Sequence, residues 1–164
     1  MPENLEKYLL TPGPLTTSKL TKQAMLRDIG SWDSDFKKIT SEIREKLVNI
    51  LMQTSNINKI KNSDPYISIP MQGSGTFSVE AMLGTFVPKT NKALVLSNGS
   101  YGKRCSTILN YLGRDNDIID MGDFLPPDPQ LLEKKLEQDP HISHVIVIHC
   151  ETSSGILNPI KTIS

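Results

Sequence analysis

Between Phe36 and Leu51 the apolar residues fall at three- and four-residue spacing. They are Phe36, Ile39, Ile43, Leu47, Ile50 and Leu51, with Lys37, Lys38, Glu42, Arg44, Glu45 and Lys46 between them. That period predicts an amphipathic helix with one wide apolar stripe. Asp33, Ser34 and Asp35 supply capping groups and favourable charge at its start. Upstream, Leu9-Leu10-Thr11-Pro12-Gly13-Pro14 cannot be helical, because two prolines bracket a glycine, and it reads as an extended arm. Thr17 or Ser18 can cap a short helix ending near Gly30. The polar stretch from Asn56 to Asp64 reads as a surface loop.

After Pro65 the pattern changes to strand-then-helix units. Tyr66 to Pro70 reads as a short strand, followed by a helix with Val79, Met82, Leu83 and Phe86 on one face. Lys92 to Leu96 is an apolar strand, and the helix after Gly99 carries Ile108, Leu109 and Leu112. Asp117 to Met121 is a further strand. Asp128-Pro129 opens a helix with Leu131, Leu132 and Leu136, since proline suits a first turn. His144 to His149 is a near-continuous apolar strand, the most apolar of the set. Buried strands alternating with amphipathic helices predict an α/β fold, with a mostly parallel sheet flanked by helices. In such folds ligands bind where strands turn into helices.

Composition narrows the partners. Among 164 residues, Lys plus Arg number 18 and Asp plus Glu number 18. A net charge of zero gives no electrostatic reason to expect nucleic acid or an anionic membrane. The N-terminus lacks the charged-then-apolar order of a secretory signal, and no apolar run is long enough to span a bilayer. Cys105 and Cys150 have no metal-ligand spacing and read as free thiols, so no metal is expected. A cytoplasmic protein fits these features.

Three loops carry candidate chemistry. Gln72-Gly73-Ser74-Gly75-Thr76 follows a strand and opens a helix. Exposed N–H groups and the helix dipole attract an anion there, and the Ser74 and Thr76 hydroxyls can donate to a phosphate. It is neither a P-loop nor a dinucleotide fingerprint: no Gly-Lys-Ser/Thr follows, and Ser78 stands where a third glycine would be. A plain glycine-rich turn is the simpler alternative. In Asn98-Gly99-Ser100-Tyr101-Gly102-Lys103-Arg104 the tyrosine could stack on a flat heterocycle. On the residues alone, packing against its own helix explains it more simply. The hydroxyl-rich His149-Cys150-Glu151-Thr152-Ser153-Ser154-Gly155 can hydrogen-bond a ligand, or merely cap local backbone.

The order of Thr11-Pro12-Gly13-Pro14, Gly73 to Thr76, Asn98 to Arg104 and His149 to Pro159 resembles the class V aminotransferase branch of the fold type I pyridoxal-phosphate enzymes. The stretches Leu9 to Ser18 and Ala24 to Phe36 are more similar to those members that move the amino group of 2-aminoethylphosphonate to pyruvate. The resemblance runs over essentially the whole chain. It implies pyridoxal 5′-phosphate as cofactor, 2-aminoethylphosphonate and pyruvate as substrates, and a homodimer. It also implies that Ser74, Gly75 and Thr76 hold the cofactor phosphate, that Tyr101 stacks on the ring, and that Thr152 contacts the ring edge. Thr11, Pro12 and Gly13 would approach the substrate.

The same resemblance places the Schiff-base lysine and the aspartate that pairs with the pyridine nitrogen beyond Ser164. Lys161 comes too soon after Asn158-Pro159 to be that lysine. No catalytic residue is therefore assigned in this chain, and the isolated chain is expected to be inactive. Residues 1–30 read as an arm with a short helix. Residues 31–164 read as an incomplete cofactor-binding large domain, the N-terminal portion of that domain, without the small C-terminal domain. The alternatives are a related class V enzyme of alanine–glyoxylate or serine–pyruvate type, and a non-catalytic module that binds a phosphate ligand or a partner. A nucleotide-binding protein using Gly73 to Thr76 lacks the lysine and the acidic ribose partner it would need.

Overall fold

A computed structural model describes residues 8–54 and 66–164. The chain divides into two compact units, Met1–Gln72 and Gly73–Ser164. The loop expected at Asn56 to Asp64 lies outside the described residues.

In the first unit the expected extended arm is turned back on itself. Leu10 and Leu15 form an isolated antiparallel bridge. Leu9 N donates to Thr16 Oγ1 at 2.6 Å, and Thr16 N donates to Leu9 O at 3.3 Å. The two prolines and Gly13 exclude a helix, as read from the sequence, but they also favour a turn. Helix α1, Lys19–Ala24, is capped by Ser18, whose hydroxyl accepts from Thr21 N at 3.1 Å. It ends well before Gly30. Helix α2 spans Ser34–Thr54. Its stripe residues Phe36, Ile39, Ile43, Leu47, Ile50 and Leu51 are all exposed.

The strand expected at Tyr66 to Pro70 is not formed, and this stretch has no regular structure. The Ser68 carbonyl instead accepts from Arg44 Nε at 2.8 Å, and Pro70 has no N–H to offer a ladder.

The second unit contains α3 (Gly75–Phe86), β1 (Lys92–Ser97), α4 (Ser100–Tyr111), β2 (Asn116–Asp120), α5 (Pro129–Gln138), β3 (Ile142–Val147), β4 (Cys150–Glu151), β5 (Ile156–Leu157) and α6 (Ile160–Ile163). Three strands form a parallel sheet in the order β2-β1-β3. The central strand β1 explains the core. Its side chains alternate between faces, so Ala93 and Val95 pack with Leu83, Val87, Cys105 and Leu109 from the α3–α4 side. Leu94 and Leu96 pack on the other face against Leu132 of α5, with Ile163 of α6 beside them. Each fully buried leucine contributes about 1.5–3 kcal/mol relative to an exposed one.

Apolarity alone does not give a strand's place in the sheet. The stretch from His144 to His149 is the most apolar run, yet β3 covers Ile142–Val147 and buries only Ile146. The reason is topological: among the described residues β3 pairs with β1 alone, whereas β1 has a neighbour on each side. The hydroxyl-rich segment that follows is an antiparallel hairpin of β4 and β5, pairing Cys150 with Leu157 and Glu151 with Ile156. Gly155 lies in its turn at φ 74°, where a side chain would be strained. As the sequence predicts, Pro129 starts α5 and Asp128 caps it, accepting from Gln130 N at 2.8 Å.

Candidate functional site

The second unit opens with a helix start. Ser74 is extended, at φ −81° and ψ 169°, and its hydroxyl accepts from Phe77 N at 3.2 Å. The N–H groups of Gly75 and Thr76 stand at the first two helical positions, where no preceding turn supplies an acceptor. A Cβ built on Gly75 meets nothing within 4 Å. A Cβ on Gly73 would collide with the Phe77 ring. The first glycine therefore lets the aromatic ring pack close, and the second leaves open space beside bare donors.

That space is a pocket of about 430 Å³. Ser74, Gly75 and Thr76 line one side, Tyr101 and Arg104 of α4 another, and Cys150 and Thr152 of the hairpin a third. Val79, Cys105, Ile108 and Ile148 give it an apolar wall. All five residues assigned from sequence to a cofactor, Ser74, Gly75, Thr76, Tyr101 and Thr152, thus line one cavity. They come from three separate loops at one end of the sheet.

Two residues near the cavity had no role in the sequence reading. Arg104 Nη1 donates to Thr76 Oγ1 at 3.3 Å, and its guanidinium lies 5.7 Å from the Tyr101 ring centre. It brings positive charge to the anion-attracting end of α3. The signal was present in the three-residue spacing of Tyr101 and Arg104, which puts both on one face of α4.

Glu151 is fully buried. Its carboxylate accepts from Gly102 N at 3.0 Å, Tyr101 N at 3.3 Å and Ser153 N at 3.4 Å, and from the Ser153 hydroxyl. Ser153 Oγ in turn accepts from Ser100 N at 2.8 Å. Three N–H groups at the start of α4 are thereby capped from the hairpin. The local sequence cannot do this, because Gly99 stands at the capping position and has no side chain. Any Cβ there would come within 2.5 Å of Glu151 Cγ. Behind this cap, Asn98 and Asn158 exchange two amide hydrogen bonds at 2.9 and 3.0 Å, and Asn158 Nδ2 also donates to Ile148 O at 2.7 Å.

The thiols are free, Cys105 buried and Cys150 exposed. Burial pushes the Cys105 thiol pKa up, and the nearby Glu151 carboxylate adds to this. A thiol so placed stays protonated and is no nucleophile. Thr11, Pro12 and Gly13 are exposed and belong to the first unit, where the Thr11 hydroxyl donates to the Pro14 carbonyl.

No family model matches the chain. Curated proteins do. The chain is 55% identical over 159 residues to the 2-aminoethylphosphonate–pyruvate transaminase of Rhizobium meliloti, covering 97% of this chain and 39% of that protein. It is 52% identical over 163 residues to 2-aminoethylphosphonate–pyruvate transaminase 1 of Paraburkholderia xenovorans, covering 99% and 40%. By sequence the chain is similar to a part of the 2-aminoethylphosphonate–pyruvate transaminases. It spans about two-fifths of the length of these relatives.

Solved structures agree on the fold. Pyridoxamine–pyruvate aminotransferase from Mesorhizobium loti superposes with a TM-score of 0.79 at 23% identity, over 96% of this chain and 38% of that one. Alanine–glyoxylate aminotransferase from Nostoc sp. gives 0.74 at 26% identity, over 97% and 40%. The fold is the α/β fold of the pyridoxal-phosphate aminotransferases, and the chain accounts for an N-terminal portion of their large domain.

Proposed function

We propose that the protein carrying this chain is a pyridoxal 5′-phosphate-dependent transaminase that moves the amino group of 2-aminoethylphosphonate to pyruvate, giving phosphonoacetaldehyde and alanine. The observation that carries this reading is the meeting of three distant loops in one pocket, in a chain half identical to named transaminases. The pocket's donor set fits the cofactor. Its helix start, two hydroxyls and guanidinium suit a dianionic phosphate, and the open space at Gly75 leaves room for it. The Tyr101 face and the apolar wall suit a flat ring.

In this reading Ser74, Gly75 and Thr76 hold the phosphate, and Arg104 adds charge to that end. Tyr101 orients the ring by stacking, and the Thr152 hydroxyl bonds its edge near the phenolic oxygen. Bound there, the cofactor supplies the electron sink that lets a proton leave the carbon beside the amine nitrogen. This chain's residues bind and orient; no proton-transfer role is assigned to any of them. Thr11, Pro12 and Gly13 approach the substrate from the arm. Residues 31–164 form the cofactor-binding part and residues 1–30 an appendage to it.

Further parts of the proposal are a cytoplasmic location and a homodimer. No helix among the described residues is long and apolar enough to cross a membrane, and the exposed stripe of α2 calls for a protein surface to cover it. A second reading, an alanine–glyoxylate type donor preference, draws on the Nostoc likeness.

The test is twofold. Pyridoxamine 5′-phosphate titrated into the chain should bind in a one-to-one ratio and be displaced by inorganic phosphate. The full-length protein should form alanine from pyruvate with 2-aminoethylphosphonate as donor, in preference to making glycine from glyoxylate with alanine as donor. Cofactor binding without either turnover would favour the non-catalytic module; no binding would overturn the site.

A further inference from the structure

The pocket's ring side is built from two pieces that have no covalent reason to be in register. Tyr101 stands one residue into α4, and Thr152 stands in the turn between β4 and β5. Between them lies Glu151, a carboxylate with no exposed surface. Burying a carboxylate costs several kcal/mol unless hydrogen bonds to it make good the lost water. Here the compensation comes from the N–H groups of Tyr101 and Gly102, at the positive end of α4's dipole, together with the hydroxyl and N–H of Ser153. Ser153 extends the same contact to Ser100 N. No side chain at Gly99 can take over, and the close approach of Glu151 to Gly99 leaves no room for one.

From this we propose that Glu151 is a positioning residue for the ring of the bound cofactor. Its carboxylate ties the residue before Thr152 to the backbone of Tyr101, and so fixes the spacing between the stacking face and the edge-binding hydroxyl. The role rests on the reading of the pocket given above. Glu151 itself does not line the cavity, so it acts through its neighbours. Nor does it hold the phosphate end: Ser74, Gly75 and Thr76 belong to a different helix. The carboxylate's two ends of contact are both on the ring side.

That division makes the idea testable. The full chain is titrated with pyridoxamine 5′-phosphate, which carries ring and phosphate, and separately with inorganic phosphate alone. Binding is followed by calorimetry, and the bound ring's geometry by its induced circular dichroism. Glu151→Gln keeps the shape but turns an amide N–H₂ toward backbone donors. We expect it to weaken the ring-bearing ligand about tenfold or more, to diminish the induced dichroism, and to leave inorganic phosphate affinity within twofold. Ser153→Ala, which removes one strand of the same contact and keeps the carboxylate, should give a smaller loss of the same kind, and it serves as the variant to read if Glu151→Gln fails to fold. Unchanged ring affinity and dichroism in a folded variant would overturn the proposal. Equal losses for ring-bearing ligand and phosphate would also overturn it, as the signature of general disruption. Wild-type chain that binds phosphate but not pyridoxamine 5′-phosphate would instead refute the cofactor reading, before any variant is considered.

Discussion

Arg104 Nη1 lies 3.3 Å from Thr76 Oγ1, so the two helices that begin at the pocket are joined across it. Neither group is spent by this contact. The guanidinium retains further donors, and the hydroxyl can donate its own proton to a ligand. Thr76→Ala should weaken a phosphate-bearing ligand by about 1.5–3 kcal/mol, the range for a hydrogen bond to a charged group. Arg104→Met should do the same and flatten the salt dependence of binding. Titration of inorganic phosphate at low and high ionic strength measures both. Unaltered affinity in both variants would place the anion elsewhere.

Gly75 and Gly102 should respond oppositely to a side chain. A Cβ on Gly75 enters open space in the pocket, whereas one on Gly102 lies 2.9 Å from Ser97 Cα. Gly75→Val should therefore leave the urea midpoint nearly unchanged and abolish ligand binding. Gly102→Ala should cost roughly 1–3 kcal/mol of stability, as overpacking does. Chemical denaturation with and without pyridoxamine 5′-phosphate separates the two effects.

Ser74→Ala removes the hydroxyl that accepts from Phe77 N. Loss of such a cap costs about 1 kcal/mol. The expected readout is a lower melting temperature in the absence of any ligand, together with weaker phosphate binding. Ser74→Asp should restore the stability but not the binding, because its negative charge repels the phosphate.

The ion network at the start of β1 makes stability depend on pH at both ends. Lys92 Nζ lies 2.9 Å from Asp139 and 3.6 Å from Asp117, and Lys135 Nζ lies 2.9 Å from Asp117. The hydrogen bond from Lys92, helped by the His141 N–H, holds the Asp139 carboxyl below its usual range, and Lys135 does the same for Asp117. Their stabilisation is complete above the unfolded carboxylate pKa, about 3.9, and is lost as pH falls through the lower folded values. Lys92 is raised, chiefly by its bond to Asp139. Its contribution is complete below about 10.4 and is lost as pH rises through the higher folded value. Urea midpoints across pH should fall off at both extremes, and Asp139→Asn should flatten both limbs.

Local features were legible in the sequence because their causes are local. Asp128-Pro129 starts α5, the Ser18 hydroxyl caps the helix that follows it, and the period of α2 is visible in its own residues. The three loops that line the pocket were legible for the same reason: each combines glycine with hydroxyl side chains, although the strand expected before Gly73 is not formed.

Tertiary structure decided the rest, since it concerns partners far apart in the chain. The apolarity of His144 to His149 does not give its place in the sheet: among the described residues β1 has a neighbour on each side, and β3 pairs with β1. Tyr66 to Pro70 has strand-like residues, yet the Ser68 carbonyl goes to Arg44, 24 positions away. Glu151 reads as one polar residue in a turn until α4's start, 50 positions earlier, is brought onto it. A side chain's preferences are written in its own chemistry, but which donor or face satisfies them depends on chain closure. Only the fold brings residues 28 apart, such as Thr76 and Arg104, within hydrogen-bond reach.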